Sequence, residues 1–253
     1  MNLLLPGIAS AYLIAFARVG TLIMLMPGVG EQMVSPRIRL AFALLTTLVL
    51  FPTVRPLLGG TDGLAGPRLI GLLFAETIVG LVLGLSVRMV LAALQTAGLI
   101  ISQQLGLAYA MTVDPSYGGQ QAALGNFLSL LGVTLIFAAD LHHLAIEGLA
   151  QSYVVLPPDG VPAFSDALML AVKALTRGFT LAVQISGPFI AFGLLFNLGL
   201  GVLSRLMPQL QVFFLAVPAS VLVGMLILMG SLGVMMGVFL DDLGRYLGEF
   251  VGR

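Results

Sequence analysis

The chain has 253 residues, of which 59% are hydrophobic and only 9% are charged, and its formal net charge is zero. A soluble domain carries roughly 25% charged residues, so this composition excludes an ordinary soluble protein and indicates a polytopic helical membrane protein. The neutral charge and the lack of a basic run argue against nucleic acid as a partner, and the absence of cysteine excludes disulfides and zinc–thiolate sites.

No cleaved signal peptide is expected at the start of the chain. Ala15-Phe16-Ala17 has the small residues of a cleavage site, but no basic segment precedes it and another apolar run follows Arg18. Leu3–Met26 is therefore predicted to be an uncleaved first helix. Pro27-Gly28-Val29-Gly30 ends it, because proline lacks an amide donor and glycine frees the backbone.

The second apolar segment is short. Leu40–Phe51 is predicted to be a helix that starts near Ser35 and Pro36 and is stopped by Pro52 and Pro56. About twelve apolar residues span ~18 Å at 1.5 Å per residue, which is less than a hydrocarbon core of ~30 Å. We therefore expect this helix to be too short to cross a bilayer.

The middle of the chain holds three further apolar segments. Leu69–Leu94 is predicted to be a long helix that carries Glu76 and Arg88, and Ala122–Ala139 is predicted to span the membrane. Between them, Gly98–Met111 is apolar but interrupted by glutamine and glycine. We predict a separate, broken segment there.

An irregular stretch, Gln103–Gln121, lies at the centre of the sequence. Asp114 is the only formal charge between Met89 and Ala139. Asp114-Pro115, followed by Ser116-Tyr117-Gly118-Gly119, has the residues of a turn. A polar, irregular segment between two apolar runs must reach water, line a cavity or be buried in protein.

The next part of the sequence is more polar. Asp140–Asp159 is predicted to be a polar connection. The segment after it carries Asp166, Lys173 and Arg177 at positions i, i+7 and i+11, which places these charges on one helical face. We therefore predict an amphipathic helix that lies at an interface.

The C-terminal part is predicted to be a helical hairpin, residues 180–240, followed by a short soluble tail, Asp241–Arg253. Its helices are Thr180–Leu203 and Val212–Leu240, which we expect to be kinked at Gly187-Pro188 and at Pro218. Two GxxxG motifs, starting at Gly80 and Gly233, permit close helix approach. We expect residues 1–253 to form one polytopic helical domain.

Several polar residues lie inside apolar segments. Glu76 and Arg88 cost ~2.5–3.5 kcal/mol each at a helix centre and are ~18 Å apart along one helix, so they cannot pair with each other. Each needs a partner from another segment or subunit. The residues expected to make such contacts are Arg18, Glu76, Arg88, Gln103, Gln104, Asn197, Arg205, Pro208, Gln209 and Gln211.

Enzymatic and metal chemistry are not expected. The sequence has no HExxH motif, nucleophile elbow or phosphate-binding glycine loop. Asp140, His143 and Glu147 share a helical face with a spacing that suits a metal, but polar residues also belong where a chain leaves the membrane. We expect no metal, no cofactor and no catalytic residue.

A series of motifs runs in order through nearly the whole chain. It comprises Arg18, Pro27–Gly30, Ser35–Arg39 ahead of Leu40–Pro52, Glu76 with Gly80 and Gly84, Gly98–Gly106 leading into Val113–Pro115, Phe137–His142, Asn197–Gly201, and Arg205–Phe213 with Pro218. In this order the chain resembles the FliR/SctT family, the flagellar biosynthetic proteins of the type III export gate, and less closely their counterparts in virulence-type injectisomes.

The resemblance implies an all-α membrane protein with kinked helical hairpins, a FliP-like N-terminal part and a FliQ-like C-terminal hairpin. Such a subunit is expected to assemble with FliP and FliQ homologues, and with FlhB and FlhA homologues, in the flagellar basal body of the bacterial inner membrane. Unfolded flagellar proteins would pass through this gate, and membrane lipid would surround part of it. The alternatives are the equivalent injectisome subunit and a secondary transporter with a broken-helix site, for which no internal repeat is found.

The resemblance also assigns a pore plug to the central stretch, residues 103–121. A family loop between the central helices plugs the closed pore, and Gly106–Gln120 is the matching segment here. The expected plug and gating residues are Gly106, Leu107, Tyr109, Met111, Thr112, Asp114, Pro115, Gly118 and Gly119.

Overall fold

A computed structural model describes residues 4–30, 34–59, 66–107, 118–158, 164–207 and 212–251. These residues form helices joined by turns, with no strand among them. Their helices are α1 (Leu4–Leu25), α2 (Pro36–Val54) with a 3₁₀ turn (Arg55–Leu57), α3 (Pro67–Gln104), α4 (Gly118–Ala138), α5 (Leu141–Val155), α6 (Phe164–Leu206) and α7 (Val212–Val251). The prediction of an all-α protein is confirmed.

Among the described residues, five helical segments are long and apolar enough to cross a membrane, and α4 with α5 forms a bent pair that counts as at most one further span. The five segments are Gly7–Leu25, Pro36–Leu57, Pro67–Gln104, Leu168–Leu206 and Ala216–Glu249. Three helices are far longer than a bilayer requires, since α3, α6 and α7 have 38, 43 and 40 residues. At 1.5 Å per residue they extend ~57–65 Å, about twice a hydrocarbon core of ~30 Å.

The predicted short second helix is wrong. Helix α2 runs from Pro36 through Pro52 to Val54, and with the 3₁₀ turn it makes a candidate span of 22 residues. Pro52 removes a single backbone donor close to the end of the helix. Hydrogen bonding resumes beyond it, because the Arg55 amide donates to the Phe51 carbonyl.

The predicted break before Gly98 is also wrong, since α3 continues without interruption to Gln104. Gly98 is a point of close packing in the middle of the helix, and a Cβ atom there would meet the backbone of Gly125 in α4. Gly98 therefore permits α3 and α4 to pack closely and does not end a helix.

Two further predicted helix ends, both in the C-terminal half, are wrong. The amphipathic segment and Thr180–Leu203 are parts of one helix, α6, which contains Pro188. Helix α7 contains Pro218 and continues through the predicted soluble tail to Val251. Leu243, Tyr246 and Leu247 of that tail are buried. Packing of these apolar side chains stabilises the helical conformation of the predicted tail.

The predicted polar connection at 140–159 is instead a helix, α5, with Gly148, Leu149, Ser152 and Tyr153 buried. The chain turns just before it at Asp140, which has a left-handed backbone with φ 57°. Asparagine and aspartate tolerate this conformation better than most side chains. Here the local turn, rather than polarity, separates α4 from α5.

The chain divides into two compact units. Unit 1 comprises Met1–Val90, Phe137–Thr176 and Gly244–Arg253, and unit 2 comprises Leu91–Ile136 and Arg177–Leu243. Each unit is made of segments that are distant in sequence. The predicted subdivisions at residues 103–121 and 180–240 describe an assembled gate and stay predictions.

Unit 1 packs α1 against α2 and α3. Val19, Leu22 and Ile23 of α1 form a buried cluster with residues of α2, α3 and α5. Gly80 permits the closest approach, because a Cβ atom there would lie 2.5 Å from the carbonyl oxygen of Arg18. The close approach predicted for the first GxxxG motif is thus confirmed.

Unit 2 packs the second half of α3 against α4 and α7. Leu105 is completely buried and its side chain occupies the space above Gly224. The Ser220 hydroxyl donates a hydrogen bond of 2.9 Å to the Leu105 carbonyl. Around Gly233 and Gly237, by contrast, an added Cβ atom would meet nothing within 4 Å in the described part of the chain, so the second GxxxG motif makes no close contact there.

Candidate functional site

The polar residues of unit 1 converge on a buried ion pair. Arg18 of α1 donates from Nε to Glu76 Oε2 at 2.6 Å and from Nη2 to Glu76 Oε1 at 2.8 Å. Arg18 is 0% exposed and Glu76 is 2% exposed. Two parallel hydrogen bonds of this kind fix both the distance and the orientation of the partners.

The remaining donors of Arg18 bond to the last turn of α5. Nη1 donates to the Ser152 carbonyl at 3.0 Å and to its hydroxyl at 3.2 Å, and Nη2 donates to the Leu156 carbonyl at 2.7 Å. The guanidinium also lies 4.0 Å from the centre of the Tyr153 ring. A cation is favoured at a helix C-terminus, so Arg18 acts as a cap for α5.

This arrangement leaves no guanidinium donor of Arg18 unused, since the group has five N–H bonds and makes five hydrogen bonds. Arg18 therefore has no further N–H group to donate to another molecule. It fastens α1, α3 and α5 to one another. The partners expected for Arg18 and Glu76 on other segments or subunits are, in this structure, these two residues themselves.

Unit 2 contains a cavity of about 260 Å³ whose lining includes several uncharged polar side chains. It lies where α3 ends, between residues of α6 and α7. The polar side chains that line it are Gln103, Gln104, Asn197, Ser204 and Ser220, and the other lining residues are Gly106, Phe196, Leu200, Gly201, Ala216 and Val217. We call this space the amide cavity.

The amide cavity offers both donors and acceptors. Each glutamine or asparagine side chain carries a carbonyl oxygen and two N–H bonds, and a polar space of this size has room for several waters. Gln103 and Asn197 are exposed, and Gln104 is half-buried. Such a lining suits water or a peptide backbone, whose groups have the same chemistry.

A C-terminal cap ends α3 beside the amide cavity. Gly106 has φ 76°, and its amide donates to the Gln103 carbonyl at 3.1 Å, while the Leu107 amide donates to the Ser102 carbonyl at 3.0 Å. This is the Schellman pattern with glycine at the left-handed position. It ends α3 so that Gln103 and Gln104 occupy its last turn beside the cavity.

The other predicted site residues are placed as follows. Leu107 is half-buried directly after the cap, and Gly118 and Gly119 begin α4; their gating role stays a prediction. Arg88 and Arg205 are exposed, and neither belongs to the buried ion pair or to the cavity lining. The predicted residues that lie outside the described residues are Tyr109, Met111, Thr112, Asp114, Pro115, Pro208, Gln209 and Gln211.

Sequence reasoning missed the residues that complete these sites. Ser152, Tyr153 and Leu156 lie in the segment that was predicted to be a polar connection, and Ser220 lies in the predicted apolar helix Val212–Leu240. A second ion pair was also missed, in which Arg177 Nε of α6 lies 3.0 Å from Asp242 Oδ2 of α7. The one available signal was that a buried arginine at position 18 requires several acceptors.

Comparison with known proteins identifies the family. The model of the family described as bacterial export proteins, family 1, matches residues 9–246. The chain belongs to this family. It is 42% identical over 228 residues to the flagellar biosynthetic protein FliR of Caulobacter vibrioides, which covers 90% of each chain.

More distant members show the same similarity along their length. The FliR of Bacillus subtilis is 31% identical, covering 88% of this chain and 86% of its own. The FliR of Escherichia coli is 29% identical, covering 89% and 85%. The resemblance of this export protein to the FliR family is confirmed, and none of these three relatives is named as an enzyme.

Proposed function

We propose that this protein is a structural and gating subunit of a flagellar type III protein export gate. Family membership over residues 9–246 and the naming of its relatives as flagellar biosynthetic proteins support this function. The observation that carries the gating role is the amide cavity, which gathers Gln103, Gln104 and Asn197 at Gly106. That glycine is where the expected plug begins.

The chemistry of the cavity agrees with transport of an unfolded chain. A passing polypeptide presents N–H and C=O groups at every residue, and it is stabilised by groups that both donate and accept. A charged lining would bind some segments too strongly, whereas conduction requires binding that is weak enough to release. Uncharged amides meet this requirement for substrates of many sequences.

Partners are proposed on the basis of the exposed apolar surface. Large side chains stand exposed on α2, α3 and α7, among them Val49, Phe74 and Met229. Apolar surface of this kind marks contact with lipid or with other proteins. We therefore propose that FliP and FliQ homologues, and further FlhB and FlhA homologues, cover part of it in the basal body of the bacterial inner membrane, with lipid around the rest.

The plug assignment is tested by deleting Gly106–Gly119 in cells that express the complete gate. We expect these cells to become permeable to ions and small dyes, because the seal is lost. The control removes residues 60–65, between the 3₁₀ turn and α3, and leaves permeability at the wild-type level. Unchanged permeability in the plug deletion, with the gate still assembled, would show that these residues form no seal.

The amide cavity is tested separately by Gln103→Leu and Asn197→Leu, which replace amides by apolar groups of similar size. Export of flagellar proteins should fall several-fold while the subunit still copurifies with FliP and FliQ homologues. Gln184→Leu is the matched control, because Gln184 is exposed on α6 away from the cavity. Equal export in all three variants would remove the cavity from the transport path.

Two other functions make different predictions. A secondary transporter would take up a specific small substrate after reconstitution, and the equivalent injectisome subunit would copurify with injectisome rather than flagellar components. The relatives named here favour the flagellar system. A chain that copurifies from cells with no other export-gate protein would count against every version of the gate.

A further inference from the structure

We propose that Asp140, His142 and His143 bind a divalent transition metal ion at the break between α4 and α5. Each of the three residues offers a ligand atom, and these atoms all lie within 4.8 Å of one another. His143 Nδ1 is 3.7 Å from Asp140 Oδ1. The sequence spacing had suggested Asp140, His143 and Glu147, and the structure replaces Glu147 by His142.

The backbone turn before α5 produces this cluster. Asp140 has φ 57° and ψ 16° and occupies the N-cap position of α5. Its carboxylate makes no capping hydrogen bond to the helix, although aspartate at this position usually does. The carboxylate is therefore still available as a ligand, and the left-handed turn holds it beside the histidines of the first helical turn.

His142 supplies a second, independent indication. Its Nδ1 atom is buried and has no hydrogen-bond partner among the described residues. The ring is held in place by Phe137, 5.2 Å away between ring centres, and by His143 at 4.1 Å. A buried polar atom without a partner is destabilising, and histidines that bind a metal need a fixed ring.

The donor set selects the class of metal. Two imidazoles and one carboxylate suit Zn²⁺, Co²⁺, Ni²⁺ or Cu²⁺ better than Ca²⁺ or Mg²⁺, which prefer oxygen ligands. Bond lengths of ~2.0–2.2 Å require the ligand atoms to move somewhat closer together. The side chains of His143 and Asp140 are 70% and 77% exposed, so they are free to rotate and leave coordination positions open to water.

The experiment uses the full chain, purified in detergent without a polyhistidine tag and stripped of metal by a chelator. Co²⁺ alone is added and its visible absorption is recorded, followed by calorimetric titration with Zn²⁺. We expect one ion per chain with a micromolar Kd. His142→Gln and His143→Gln should each weaken binding at least tenfold, because three protein ligands become two.

Glu147→Gln is the matched control, since it removes a nearby side chain that is not part of the cluster; its Kd should stay within twofold of wild type. His143 is exposed, and its replacement is not expected to unfold the protein, which a thermal melt of the variant would verify. The proposal is overturned if the wild-type chain binds no Co²⁺, or if His143→Gln and Glu147→Gln bind equally well.

Discussion

Units 1 and 2 each contain polar groups within an otherwise apolar chain, but the surroundings of these groups differ between the two units. In unit 1 the guanidinium of Arg18 makes five hydrogen bonds and is completely buried. In unit 2 the amides of Gln103 and Asn197 are exposed and line a cavity. The first arrangement fixes helices in place, and the second keeps polar groups available for another molecule.

The two regions should therefore respond differently to mutation. A buried charge that loses its partner cannot regain solvation, so removing the partner lowers the free energy of unfolding. An exposed amide that lines a cavity can exchange one hydrogen bond for another with water, so removing this amide affects protein export more than stability. Four substitutions test this contrast, in order of decreasing effect on the free energy of unfolding.

The largest effect is expected for Arg18→Met. It leaves Glu76 buried without its main partner, and should lower the free energy of unfolding by ~3–5 kcal/mol. Thermal unfolding of the detergent-purified protein measures this loss. Arg88→Met is the control, because Arg88 is exposed on α3, and it should change stability by less than ~0.5 kcal/mol.

The double variant Arg18→Met/Glu76→Met tests the cause of that loss. Replacing both partners by apolar groups removes the uncompensated charge, and stability should recover by a few kcal/mol, about 1–4. A double variant as unstable as Arg18→Met would show that the hydrogen bonds to α5, rather than the ion pair, dominate.

The next effect is expected for Gly80→Ala. The added Cβ would lie 2.5 Å from the Arg18 carbonyl oxygen, and overpacking of this kind destabilises by ~1–3 kcal/mol. In Gly71→Ala, on the same helix, the added Cβ meets no described residue within 4 Å, and the variant should gain up to ~1 kcal/mol from helix propensity. Equal melting temperatures for the two variants would contradict the close packing of α1 on α3.

A smaller effect is expected for Arg177→Met in unit 2. Its pair with Asp242 is only partly buried, with side chains 22% and 26% exposed. Solvent screening limits such a pair to ~0.5–1 kcal/mol, and raising the ionic strength should reduce the difference from wild type. A loss as large as that of Arg18→Met would erase the distinction between the two regions.

The smallest effect on stability is expected for Asn197→Leu. Asn197 is exposed at the amide cavity, so the free energy of unfolding should change by less than ~0.5 kcal/mol. Protein export, measured in the same variant, should nevertheless fall. A strongly destabilised Asn197→Leu would mean that the cavity is part of the structural core.

The helical membrane class could be predicted from the sequence, because long apolar segments with few charges form membrane-spanning helices. The sequence also showed that Arg18 and Glu76 need partners. It did not show that they pair with each other, since the 58 residues between them carry no local signal. Ser152 and Leu156 contribute backbone carbonyls, which no side-chain pattern reveals.

Helix ends were predicted least well, and Pro52 is one reason. Pro52 was expected to stop a helix, yet it lies inside α2. Pro188 and Pro218 lie inside α6 and α7, within the helices where kinks were predicted. In long apolar helices, neighbouring groups compensate for the one donor that proline removes. The end of α3 had a clearer signal, because Gln103 and Gln104 interrupt the apolar run and Gly106 follows closely.

The Arg18 contacts also impose an order on biosynthesis. Glu76 follows Arg18 by 58 residues and Ser152 follows it by 134. At ~5–20 residues per second, the ribosome supplies Glu76 about 3–12 s after Arg18 and Ser152 about 7–27 s after it. Throughout that interval the nascent α1 carries a cation without its native partners, which makes burial of α1 in lipid costlier by ~2.5–3.5 kcal/mol.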